Sequence, residues 1–175
     1  MKAALGTIFI LIKLKAMSKI YNLFFVLMVS YGINTISAQK AFDYEWSHYN
    51  IVFTLAEDFK EVTNTADEFT AYGDGMEFGI FPFNDNSVDH SNITAYTIEI
   101  AKSLKLEQLD DVDVIDMNGL KGAYVEGYKE GVRIVVLGFI DPDSATNFFA
   151  TITFKDDDEE AENEAVRIFK SLRKK

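Results

Sequence analysis

Residues 112–154 read VDVIDMNGLKGAYVEGYKEGVRIVVLGFIDPDSATNFFATITF. Apolar and polar positions alternate through most of this stretch, the period of strands with one buried face. Asn118-Gly119 is the strongest hairpin signal in the chain, because both residue types tolerate positive φ. It joins a strand over 112–117, with Val112 and Val114 inward, to a strand over 120–128. Lys129-Glu130-Gly131 makes the next turn. Residues 132–140 are almost all apolar apart from Arg133, which predicts a central strand covered on both faces. Asp141-Pro142-Asp143-Ser144 turns the chain again. Phe148, Ala150, Ile152 and Phe154 then share one side of a strand over 147–154. Four strands in succession, joined by short turns, form an antiparallel meander.

The flanking segments complete the pattern. Upstream, Ile51, Phe53 and Leu55 share one face of a strand at about 49–55, and residues 69–72 form a second. Gly73-Asp74-Gly75 turns into a strand over 76–83, with Met76, Phe78 and Ile80 on one face and Phe81 and Phe83 on the other. Between the two halves, Ile93, Tyr96, Ile100 and Leu104 recur at helical spacing, predicting a helix at about 89–106 capped by Asp89 or Ser91. Downstream, Ala161, Ala165, Ile168, Phe169 and Leu172 predict a helix at about 157–172. Its acidic start, 156–160, and its basic end, Arg167, Lys170 and 173–175, complement the helix dipole. The expected order is βββ-α-ββββ-α. This is an α+β domain: a single antiparallel sheet of about six to seven strands carrying two long amphipathic helices.

The chain has 175 residues, no cysteine, and 17 Lys+Arg against 28 Asp+Glu. Every acidic residue lies at or after Asp43, while the first 42 residues hold five lysines. Met17-Ser18-Lys19, then the apolar run 23–29, then the small and polar stretch 31–38 ending in Ala38, follow the order of a secretory signal peptide. Cleavage is expected after Ala38, with Met17 as the initiator and 1–16 as an upstream extension. The expected organisation is a targeting segment over 1–38 and a single globular domain over 39–175. The segment at 20–36 is too short and too polar for a membrane anchor. Gln39, rather than Cys, follows the expected cleavage point, which excludes the lipid-anchored export route. Without the targeting segment, 13 basic residues face 28 acidic ones, a net charge of −15. A domain of this size buries enough surface to fold without disulfides.

At this point the chain resembles a family. The residues that carry the resemblance are the strand Tyr49–Leu55 followed by Ala56-Glu57-Asp58-Phe59, and the long middle helix. Residues 122–128 (GAYVEGY), 135–140, 148–152 (FFATI) and 168–172 (IFKSL) complete it. Together they look like the PsbP-like fold, shared by PsbP, the Ran-binding Mog family and exported bacterial domains. The similarity covers nearly all of 45–173. It implies an α/β/α sandwich and a non-enzymatic binding or assembly role, and it transfers no functional residue.

The chemistry-bearing inventory is thin. No nucleophile elbow, zinc-protease helix, P-loop or kinase set is present. Gly73, Gly75 and Gly79 fail as a dinucleotide fingerprint, since Phe78 stands in the third glycine's place and no helix follows. His48 and His90 are two ligands at most, short of a zinc site. Asp110, Asp111, Asp113 and Asp116 lack a calcium-loop spacing and suit a solvated strand edge. No catalytic residue, metal ligand or cofactor is expected. The candidate contact patch is aromatic: Tyr72, Phe81, Phe83, Tyr124 and Tyr128, with Tyr124 and Tyr128 sharing a strand face with Glu126. A body at −15 is a poor partner for nucleic acid and for anionic membranes. The expectation is an exported binding or accessory domain, secreted or periplasmic. It has no stable membrane insertion after signal cleavage, and its partner is a protein or small ligand of the cell envelope. A small secreted hydrolase using carboxylates and a weak calcium-dependent module are the alternatives.

Overall fold

The computed structural model describes residues 40–175, except 74, 84, 86, 145 and 156–158. The export segment expected over 1–38 lies outside the described residues. So do Asp74 of the expected hairpin turn and the first acidic residues of the last helix. The described residues belong to one compact unit.

Twelve named elements follow in order: β1 (Ala41–Trp46), β2 (Ile51–Ala56), β3 (Lys60–Asn64), β4 (Phe69–Gly73), β5 (Met76–Phe83), α1 (Ile93–Ser103), β6 (Asp113–Met117), β7 (Leu120–Lys129), β8 (Val132–Ile140), β9 (Asn147–Lys155), α2 (Glu159–Ser171) and β10 (Arg173–Lys174). Two sheets replace the single one expected. The small sheet runs β1-β2-β10, and the large one β3-β4-β5-β9-β8-β7-β6. All pairings are antiparallel. β2 leaves the large sheet because β1 and β10 take both of its edges.

The helices are also shorter than expected, at 11 and 13 residues. α1 begins only at Ile93. Asp89 spends its carboxylate on the Ser91 hydroxyl (2.6 Å) and backbone (2.7 Å), closing a turn before the helix instead of capping it. Asn92 holds the N-cap position without a side-chain cap bond. At the other end Lys105, with φ 60°, breaks the helical run.

The meander forms as its sequence dictates. Glu130 and Gly131, both at positive φ, make the two-residue turn between β7 and β8, which pair from Lys129↔Val132 onward. β8 has neighbours on both edges and is buried from Ile134 to Ile140. β6 departs from expectation. Ile115 and Met117 face inward, while Val114 is 73 % exposed. The strand pairs Met117 with Leu120, and a two-side-chain period then fixes odd positions inward.

The core lies between the sheets. Phe53 of β2 sits 4.8 Å from Phe69 and 5.1 Å from Phe78, ring centre to ring centre. Trp46 meets Phe148 at 5.9 Å and donates its indole N–H to the Thr65 carbonyl (2.6 Å). α2 closes the open end of this layer with Ala161, Ala165, Ile168 and Phe169, joined by Leu172 just beyond its end, the stripe expected from the sequence. α1 covers the opposite face of the large sheet, over β7 and β8. There Ile93 packs with Ala123 and Ile140. Gly138 makes that approach possible, because a Cβ would run into the Thr97 hydroxyl. That hydroxyl bonds the carbonyls of Ile93 (2.9 Å) and Ala123 (3.1 Å).

Phe53 joins the two sheets, so its truncation should cost about 3–5 kcal/mol. Chemical denaturation of Phe53→Ala checks this, and a loss below about 1 kcal/mol would show that the inter-sheet layer is not where stability resides.

Candidate functional site

The meander, the segment before it and α2 enclose one acidic cleft of about 360 Å³, lined by Asp110, Asp111, Asp113, Tyr124, Glu126 and Glu162. Register explains the assembly. Asp113 of β6 pairs with Tyr124 of β7, and Glu126 follows two residues on, so all three share one face. That face is the one α2 covers, since Phe169 of α2 lies 6.5 Å from the Tyr124 ring. Glu162, in the first turn of α2, reaches the cleft from above. The segment before β6 is tied to β7 by Glu107–Tyr128 backbone bonds (2.7 and 2.9 Å) and by the Asp110 N–H to the Glu126 carbonyl (3.1 Å). These bonds hold Asp110 and Asp111 at the rim.

Arg133 faces two of these carboxylates. The guanidinium of Arg133 donates from Nη1 to Glu162 (2.5 Å), and its Nε lies 3.6 Å from Glu126. The same Nε donates to the Tyr128 hydroxyl (3.2 Å), and the guanidinium sits against the rings of Tyr128 and Phe154 at 5.6 and 5.9 Å. Arg133 does not cancel the field. Glu126 is only 8 % exposed. Its carboxyl is pushed up by burial and then by Glu162, with Asp110 and Asp113 adding to the rise against the pull of Arg133. The Tyr124 phenol is likewise raised, first by burial, then by Asp113, Glu126 and Glu162. The cleft therefore carries uncompensated negative charge and favours any cation that enters it.

The five aromatic candidates do not form one patch. Tyr124 and Tyr128 lie on the α2 side of the large sheet, Tyr124 lining the cleft and Tyr128 supporting Arg133. Tyr72, Phe81 and Phe83 lie on the other side. Tyr72 is 48 % exposed, Phe81 stacks on Phe149 at 4.9 Å, and Phe83 is buried against Tyr96 at 4.4 Å. On that side Glu77, paired across strands with Tyr72 and Thr153, is pushed up to about 7 by burial. A second, smaller cavity of about 190 Å³ lies between α2 and the small sheet, where Glu164 is ion-paired to Arg167. His48 and His90 are exposed and separate from the cleft lining. Among the described residues no three His, Cys, Asp or Glu side chains converge to hold a metal ion. No described helix is long and apolar enough to cross a membrane.

Sequence reasoning places Tyr124 and the aspartates separately and misses Glu126, Glu162 and Arg133 as one group. Glu126 carries the only signal. It is a carboxylate on the inward face of a strand whose residues 122–128 are otherwise Gly, Ala, Val and Tyr.

Solved structures similar to this chain include the following three. Cyanobacterial PsbP (CyanoP) from Synechocystis matches with a TM-score of 0.56 and 6 % identity, over 83 % of this chain and 98 % of that one. The Ran-binding protein Mog1p of Saccharomyces cerevisiae matches with a TM-score of 0.55 and 10 % identity, over 77 % of this chain and 95 % of that one. A Bacteroides thetaiotaomicron protein matches at 14 % identity and a TM-score of 0.49, over 79 % of this chain; the chain spans about half of that protein, 49 %. No family model matches, and no curated protein matches. The fold is PsbP- and Mog1-like.

Raised carboxyl groups make a sign-specific prediction. A Glu with an elevated folded-state pKa contributes stability that is complete below its ordinary value of 4.5 and is lost as pH rises through the folded value. Glu126→Gln should therefore gain melting temperature relative to the wild type as pH rises from about 4 to about 8. Thermal melts across that range check it, and a difference that falls with pH would contradict the charge balance described.

Proposed function

We propose that this is an exported, non-catalytic binding or accessory domain whose acidic cleft receives a cationic group of a basic envelope partner. The observation that carries the proposal is the charge imbalance: five carboxylates and a tyrosine line the cleft around one arginine. The fold supports the general role. One structural neighbour, Mog1p, is a Ran-binding protein. Export rests on the order of regions over 17–38, and a mature charge of −15 suits solubility and electrostatic capture of a basic partner.

A second reading has one observation in its favour. A secreted carboxylate hydrolase needs a cleft with neighbouring carboxyls, one of them raised, and Glu126 meets that description. It is weaker because Glu126 is buried and already faces Arg133, leaving little of it for a substrate to touch. Turnover on glycosides or esters, abolished by Glu126→Gln, would replace the binding proposal with this one.

The binding proposal is tested by affinity capture from an envelope fraction. The wild type should retain basic proteins at low salt, and Asp110→Asn/Asp111→Asn/Asp113→Asn should lose them. An unchanged retained set would remove the cleft from the account.

A further inference from the structure

The large sheet ends on two edge strands that are treated differently. β3 is broken at Val62, where the register shifts between Glu61 and Thr63, and its first two residues are one base and one acid. A bulge of this kind twists an edge away from further pairing. β6 has no such break. It pairs in unbroken register with β7 from Asp113 to Met117, and among the described residues no strand lies on its outer side. The segment before it touches β7 only through the Glu107–Tyr128 bridge, two residues out of register with β6, with Gln108 at φ 52° in between. The regular edge is therefore the five residues of β6, and Val114 stands 73 % exposed on it.

Its charge is one-sided. Asp113 and Asp116 lie on it and Glu107, Asp110 and Asp111 on the segment leading into it, with Lys121 opposite Asp116 as the neighbouring base. Two such edges repel each other, so a second copy of this chain is a poor occupant. Protection of an edge would need only outward charges, however. Here Asp113 shares a face with Tyr124 and Glu126 and opens into the cleft beneath α2. A strand laid on β6 would place alternate side chains on that face, and one of them would enter the cleft beside Asp113.

Resting on the cleft proposal, we infer that β6 is the docking edge for an extended, lysine- or arginine-rich segment of a partner protein. The segment adds an eighth strand to the sheet and seats a cationic side chain in the cleft. Backbone hydrogen bonds supply the pairing, and the acids select a basic sequence over an acidic one.

Fluorescence anisotropy of the full chain with a synthetic peptide of about 10 residues, alternating Lys and Val, tests this directly. The peptide should bind at low salt. The same peptide N-methylated at alternate residues keeps its charge and loses its strand donors, and should bind at least about 10-fold more weakly. A Glu-Val peptide should not bind, and Asp113→Lys/Asp116→Lys should weaken the Lys-Val peptide at least about 10-fold. Equal binding of the N-methylated peptide would reduce the effect to charge alone and overturn the pairing. Binding unchanged by the double substitution, or association of two copies in place of peptide binding, would overturn the choice of edge and occupant. If no peptide binds while the triple Asn variant still loses its captured partners, strand pairing falls and the cleft proposal stands.

Discussion

The aromatic layer between β2 and β4–β5 is the contact on which the rest of the structure depends. Phe53, Phe69 and Phe78 meet edge to face, a geometry that adds about 0.5–1.5 kcal/mol per pair beyond buried area. Because β2 packs across the large sheet rather than joining it, the space between the sheets needs a plug at its open end. α2 supplies it, packing against β2 and β6 with one apolar stripe. That position carries Glu162 over Glu126 and Asp113. The cleft is therefore a consequence of how the two sheets are held apart.

The electrostatics of the cleft run against stability. Like charges crowd a partly dry site, and a single guanidinium serves Glu126 and Glu162 together. Elsewhere several acids are ion-paired. Asp141 and Asp143 hold Lys174, Asp43 holds Arg173, and Glu45 holds Lys175, pinning the short β10 beside β2. In the cleft five carboxylates gather around the Arg133 guanidinium, and sites kept at a cost in stability are those in which function is sought first.

Legibility followed physics. The meander can be read from sequence because each strand carries its own alternation and each turn its own Gly or Pro. Both helical stripes can be read for the same reason. β10 cannot, since two residues hold no period and pair only because β2 offers an edge. β3 is polar and bulged, so it lacks the apolar alternation of a strand. The division into two sheets depends on which edges β1 and β10 occupy, which no local pattern records. In the cleft, Tyr124 and Glu126 share a visible alternation, but Glu162 arrives from a helix 36 residues further on, through tertiary packing alone.

The central claim is that the rim aspartates give the cleft its negative charge and are not what holds the fold together. The direct measurement is the thermal stability of Asp110→Asn/Asp111→Asn/Asp113→Asn at neutral pH and low salt. The triple variant should melt at or above the wild-type temperature, and any gain should shrink as salt is added. A Tm that falls on substitution would show these carboxylates to be structural and would contradict the account.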